Sequence, residues 1–144
     1  MNAEHWKKLE NMYLAAPCNE IYRPEVRIED RYCEVKIEVH ERLLHAAGAV
    51  HGSVYFKLLD DSAFFAANSQ VEDVFVLTSN FTTYFLKPVS DGTLIAKGEL
   101  LDSAGSAYLA KSVVYNDSGD VVARGSGTFV KSKIKLTEEM GYKL

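Results

Sequence analysis

Near the start of the chain, Trp6, Leu9, Met12, Tyr13 and Ala16 recur at steps of three and four, with Glu4, Lys7, Lys8 and Glu10 between them. This spacing predicts an amphipathic helix from Ala3 to Ala16, closed by Pro17 and Asn19. Beyond Arg23-Pro24 the period falls to two. Val26 and Ile28 open an extended segment, and Cys33, Val35, Ile37 and Val39 then alternate with Glu34, Lys36, Glu38 and His40. The apolar parity switches between Ile28 and Cys33, which calls for a turn or bulge near Glu29-Asp30-Arg31. One face of such a strand lies on a core and the other faces water.

A connector from Leu43 to Val50 leads through His51-Gly52-Ser53 into Val54 to Asn68. Ten of the fourteen residues from Val54 to Ala67 are apolar. They surround the helix axis instead of forming one stripe, so this helix is predicted to be buried on most sides. Four strand-like runs follow, at Val74 to Leu86, Thr93 to Leu101, Ala107 to Asn116 and Val121 to Val130, with no further helix between them. Their connectors, around Pro88 to Gly92, Asp102 to Gly105 and Asn116 to Asp120, are rich in turn residues and short enough to demand antiparallel neighbours. Ala96, Gly98, Ala110, Ala123 and Gly125 are small, which leaves room for a helix lying close to the sheet. The economical architecture is α+β: one antiparallel sheet bent round a single apolar helix, preceded by an extra helix. The expected division is an N-terminal helical extension at 1–22, a core at 23–132 and a tail at 133–144, with helix-like polarity at Thr137 to Met140. The exposed edge of such a sheet is best covered by a second copy of the chain, as a homodimer or a dimer of dimers.

Composition narrows the function classes. The chain has 144 residues, 16 Lys and Arg against 20 Asp and Glu, and a formal charge of −4, which argues against nucleic acid as a partner. The longest apolar-rich stretch is interrupted by Lys57, Asp60 and Asp61 and is too short for a membrane span. Cys18 and Cys33 make no disulfide framework, and the first residues lack an apolar signal core, so a cytoplasmic location is expected. No metal-ligand spacing links His40, His45 and His51, and no cofactor fingerprint is present.

The segment His45-Ala46-Ala47-Gly48-Ala49-Val50-His51-Gly52-Ser53, followed by Leu58-Leu59-Asp60-Asp61-Ser62-Ala63, resembles the signature of the phenylacetic-acid-degradation-type thioesterases of the hotdog superfamily. The likeness spans roughly residues 25 to 131 and includes the strand order. It implies a hotdog fold and cofactor-free hydrolysis of a CoA thioester at sites shared between subunits. In that reading Asp60 is general base or nucleophile, and the Gly52 amide, at a helix start where unpaired N–H groups favour developing negative charge, polarises the thioester carbonyl. Thr78 falls where some relatives carry a hydroxyl that orients the carboxylate or water. His45 stands where many have Asn or Gln, and it can donate or accept at a ring nitrogen. His51, Ser53 and Asp61 are expected on the substrate-binding side, with Ser53 replacing the second glycine of the family pattern.

Read without the resemblance, each of these residues has an ordinary alternative. Gly52 is a turn glycine at a helix start, Asp60 or Asp61 an ion-pair partner of Lys57, Thr78 a strand threonine and His45 a loop histidine. Phe56, Phe64, Phe65, Phe81 and Tyr84 suit either a substrate pocket or the core. Two other functions fit the same fold: an acyl-CoA or lipid binder without turnover, and an enoyl-CoA hydratase or dehydratase pairing His45 or His51 with Asp60. A DNA-binding sensor is disfavoured, since about 22 residues before the core are too few for a helix-turn-helix domain.

Overall fold

A computed structural model of the chain describes residues 2–144. Helix α1 spans Ala3–Ala15, strands β1 and β2 span Glu25–Glu29 and Tyr32–Glu38, and the long helix α2 spans Gly52–Asn68. Strands β3 to β6 follow at Val74–Phe85, Thr93–Ala104, Ala107–Tyr115 and Val121–Lys135. All six strands form one antiparallel sheet in the order β1-β2-β4-β5-β6-β3.

The parity switch read from the sequence is a two-residue hairpin. Ile28 pairs with Cys33 across β1 and β2, and cross-strand partners share a face, so both reach the core although one is even-numbered and the other odd. Asp30 and Arg31 make the turn, with Arg31 at a φ of 61°. The turn is braced by Ser69, whose Oγ accepts from the Arg31 N–H at 3.0 Å.

Helix α2 lies in the concave face of the sheet. Leu58, Leu59, Ala63, Ala66 and Ala67 are fully buried, together with Val35, Leu94, Ala96, Ala110, Val114 and Phe129 from the strands. The closest approach is at Gly98 of β4: a Cβ there would stand 2.2 Å from both the C and the O of Ser62. Ser112 of β5 adds a polar tie, its hydroxyl donating to the Leu59 carbonyl at 2.7 Å. Gly125 serves a different purpose from the one its size suggests. A Cβ at Gly125 would meet the Thr82 carbonyl at 2.3 Å and the Phe81 ring at 2.6 Å, so this glycine admits β3 and its aromatic side chain instead of α2.

Strand β6 continues to Lys135, further than the hydrophobic run predicts. Lys135 pairs with Val74, and the Ser132 hydroxyl donates to the Phe75 carbonyl. The tail expected to be helical holds one short 3₁₀ turn, Glu138–Met140, and folds back onto α1. The Asn11 side-chain amide donates to the Lys143 carbonyl at 2.7 Å. The buried His5 ring joins the Tyr142 hydroxyl at 2.7 Å and the Asn68 carbonyl at 2.9 Å.

The two edges of the sheet are unlike. β1 is five residues long, carries Glu25, Arg27 and Glu29 exposed, and has α1 packed against it. β3 is twelve residues long and leaves Leu77, Tyr84 and Phe85 exposed, the last two more than half. Among the described residues, no helix is long and apolar enough to cross a membrane.

Candidate active site

Helix α2 begins at Gly52 because His51 caps it: the ring Nδ1 accepts from the Ser53 N–H at 3.0 Å and lies 2.8 Å from the Ser53 hydroxyl. Capping satisfies one of the four unpaired amides at a helix start and leaves others available. The Gly52 N–H has no hydrogen-bond acceptor among the described residues. Gly52 lines a shallow cleft of about 300 Å³ together with His45, Tyr55, Phe85 and Lys87. His45 is exposed there, and its Nδ1 accepts from the Ala47 N–H at 3.1 Å, which leaves its proton on Nε2.

Asp60 stands two turns further along the same helix, at the mouth of a larger cleft of about 650 Å³. This cleft runs between α1, α2, the start of β3 and the C-terminal segment. Met12, Tyr13, Phe64, Phe65, Phe75 and Met140 give it a largely apolar wall. Asp60 is partly buried, and the Thr78 hydroxyl donates to its Oδ1 at 2.8 Å. Burial pushes the Asp60 carboxyl up to about 6, with the Thr78 hydrogen bond opposing and the neighbouring Asp61 reinforcing the rise.

Asp61 has a different set of partners. Its Oδ2 accepts from the Tyr13 hydroxyl at 2.6 Å and from Lys57 Nζ at 2.6 Å. Lys57, three residues from one aspartate and four from the other, is therefore ion-paired to Asp61 and leaves Asp60 without a cation at bonding distance. Burial and the Asp61 carboxylate together push the Tyr13 phenol far up, so it remains a donor at any working pH.

The structure thus joins Thr78 to Asp60, His51 to Ser53, and His45 to the Gly52 cleft. It does not join Gly52 to Asp60 within one chain. The step of eight positions from one to the other places the carboxylate about 12 Å along the helix from the amide that opens it, in a separate cleft. Phe64 and Phe65 line the larger cleft, whereas Phe81 packs edge-on against Phe56 and Phe129 beneath β3, and Tyr84 lies on the exposed edge. Sequence reasoning missed Tyr13, which reads as one more core residue on the α1 stripe. It also missed the tail as a cleft wall, since nothing in its polar run signals contact with α1.

Removing the Thr78 hydroxyl takes away the one hydrogen bond, among the described residues, that favours the ionised Asp60. A Thr78→Val variant is expected to move the titration profile of the Asp60 carboxyl, read by carbon-detected NMR, upward by roughly half a unit to one unit. A profile that stays in place, or moves down, would show that this bond does not act on the titrating group.

A model of the thioesterase superfamily matches residues 47–123, just over half the chain, and the chain belongs to that superfamily. An inferred esterase of Mycobacterium tuberculosis H37Rv is 32% identical over 94 residues, covering 62% of this chain and 67% of that protein. An inferred esterase of Saccharolobus solfataricus is 22% identical over 104 residues, covering 72% and 69%. Among solved structures, the PaaI protein of the E. coli phenylacetic acid degradation operon superposes with a TM-score of 0.84 at 21% identity, over 93% of this chain and 97% of that one. The likeness to PaaI is one of fold, and it identifies the bent sheet and central helix as a hotdog.

Proposed function

We propose that the protein hydrolyses acyl- or aryl-acyl-CoA to the free acid and CoA, at sites built from two copies of the chain. The observation that carries this reading is Asp60: an unpaired, partly buried carboxylate at the mouth of an apolar cleft, with its proton affinity raised to about 6. Such a group is still largely ionised at neutral pH and is a stronger base than an ordinary aspartate. It would take a proton from water as the oxygen adds to the thioester carbon, or would itself attack that carbon to form a mixed anhydride that water hydrolyses after CoA has left. The C–S bond then breaks and CoA leaves as the thiol or thiolate. The acyl group would lie in the larger cleft against Phe64 and Phe75, a volume suited to a small-molecule ligand.

Gly52, Phe56 and Asp60 follow at steps of four, along one face of α2 beside the β3 edge. If a second copy pairs with β3 about a two-fold axis, its strip runs the opposite way and sets its Gly52 against the first copy's Asp60. The open Gly52 N–H, at the positive end of the helix dipole, would then receive the carbonyl oxygen. His45 Nε2–H lines the same cleft and would add a donor, while Ser53 and Asp61 would border the bound thioester. Both cysteines are free, which suits a reducing cytoplasm.

The test is thiol release from a panel of CoA thioesters. Gly52→Pro removes the proposed donor while keeping a residue favoured at the first helical position, and His51 already has the extended backbone that a following proline requires. Gly52→Pro alone should be nearly inactive. Co-expressed with an Asp60→Asn chain, it should recover about a quarter of wild-type activity, because half the dimers are mixed and each of those has one site with neither change. No recovery in verified mixed dimers would refute shared sites. Thermal stabilisation by a CoA thioester without thiol release would refute hydrolysis.

A further inference from the structure

Lys57 is the nearest cation to Asp60 on α2, and its surroundings hold it elsewhere. Its Nζ donates to Asp61 Oδ2 at 2.6 Å, and lies 5.3 Å from the centre of the Tyr13 ring and 5.0 Å from that of Tyr22. An ammonium over two ring faces and against a carboxylate is well held. Tyr13 completes the enclosure by donating its hydroxyl to the same Asp61 oxygen at 2.6 Å. Lys57 and Asp61 are both mostly buried, so their pairing is little screened by solvent.

We propose that Asp61 is a positioning residue for the catalytic carboxylate: with Tyr13 and Tyr22 it sequesters Lys57, so that Asp60 faces its substrate cleft without an ion-pair partner. The functional meaning of this rests on the hydrolase reading of Asp60. A lysine three residues before an aspartate on a helix can reach it readily, and pairing would both lower the proton affinity of Asp60 and block its oxygens. The twin aspartate diverts that lysine. The groups that line the cleft around Asp60 are Tyr13 and Cys18 from α1 and the turn after it, Lys57 and Asp61 from α2, Thr78 from β3, and Glu138, Glu139 and Lys143 from the C-terminal segment. Of these, Thr78, Asp61 and Lys57 act appreciably on Asp60, and Lys57 acts least. That ranking is what sequestration predicts for a cation so close in sequence.

The experiment is a carbon-detected NMR titration of the Asp60 side-chain carboxyl in the full chain, without substrate. Asp61→Asn keeps an acceptor for Tyr13 but gives up the charge that holds Lys57. The Asp60 midpoint should fall by about one unit or more as Lys57 turns to it. In the double variant Lys57→Met with Asp61→Asn, the midpoint should return to within about half a unit of wild type. Tyr13→Phe, which loosens Asp61 by one hydrogen bond and disturbs the fold least, should lower the midpoint by a smaller amount. An unchanged midpoint in Asp61→Asn and Tyr13→Phe would overturn the proposal. So would a fall in Asp61→Asn that persists undiminished in the double variant, since the cause would then be the lost Asp61 charge and not the released lysine. These readings do not require turnover, so an inactive wild-type protein would sink the hydrolase function while leaving the sequestration of Lys57 to stand or fall separately.

Discussion

Asp60→Asn is expected to lower kcat by about 10²-fold or more, and at the same time to make the protein more stable at alkaline pH. Both effects have one source. The carboxylate is held in partial burial beside a second aspartate, with Thr78 its only hydrogen-bond donor among the described residues. This raises its folded-state pKa from an ordinary 3.8 to about 6. The sign follows directly: a carboxyl that holds its proton more tightly when folded contributes nothing to the pH dependence below about 3.8, then opposes folding increasingly up to about 6, and opposes it fully above that. The neutral amide removes that opposition. Allowing for the carboxylate's partial contact with solvent, the gain at pH 8 should be about 1–2 kcal/mol, and close to zero at pH 3.5. Thiol release measures the first effect, and chemical denaturation at the two pH values the second. Turnover by Asp60→Asn within a few-fold of wild type would remove Asp60 from the mechanism. An active-site group that destabilises the fold it serves is a common cost of catalysis.

Gly98→Ala is expected to cause the largest stability loss of any single methyl group added to the chain. The new Cβ would meet the backbone of Ser62 at 2.2 Å and the Ala63 nitrogen at 2.6 Å, where no side chain can swing aside. Helix α2 would have to lift off β4, losing the Ser112 hydrogen bond and close packing with it. Overpacking of this kind costs on the order of 3 kcal/mol or more, a large share of a domain's total stability. The denaturation midpoint reports it, and Gly119→Ala provides the comparison. That position has a positive φ but open space around it, so about 1 kcal/mol is expected. Equal losses at the two sites would mean that α2 does not rest on Gly98. A survivor with a shifted helix should also lose activity, because Gly52 and Asp60 both stand on that helix.

The fold was legible because each element has its own period. Alternation at Cys33 to Val39 gave a strand, an all-round apolar run at Val54 to Ala67 gave the buried helix, and Gly- and Asp-rich turns gave the hairpins. The family of the chain was legible in the His-Gly step and the aspartate that follows it on the helix. Strand order is a non-local property: no local pattern says that β3 pairs with β6, across the whole β4-β5 hairpin. Which of the two aspartates takes Lys57 was equally hidden, since both Asp60 and Asp61 lie within its reach. It is decided by Tyr13, whose hydroxyl is brought to Asp61 only when α1 docks. The spacing of Gly52 and Asp60, by contrast, was open to arithmetic from the start, because a step of eight positions along a helix sets two groups too far apart for one site within a single chain.

The unlike borders of the sheet also set a limit on growth. A neighbour that adds along β3 finds a twelve-residue strand with one side open, and a symmetric addition consumes that border on both molecules at once. What then faces outward at each extremity is a stubby, highly charged ribbon backed by α1, a poor template for a third molecule. Strand-by-strand association of this kind would therefore terminate itself, and the long bare border that would threaten fibrillation in a lone molecule is the same one that such pairing would hide.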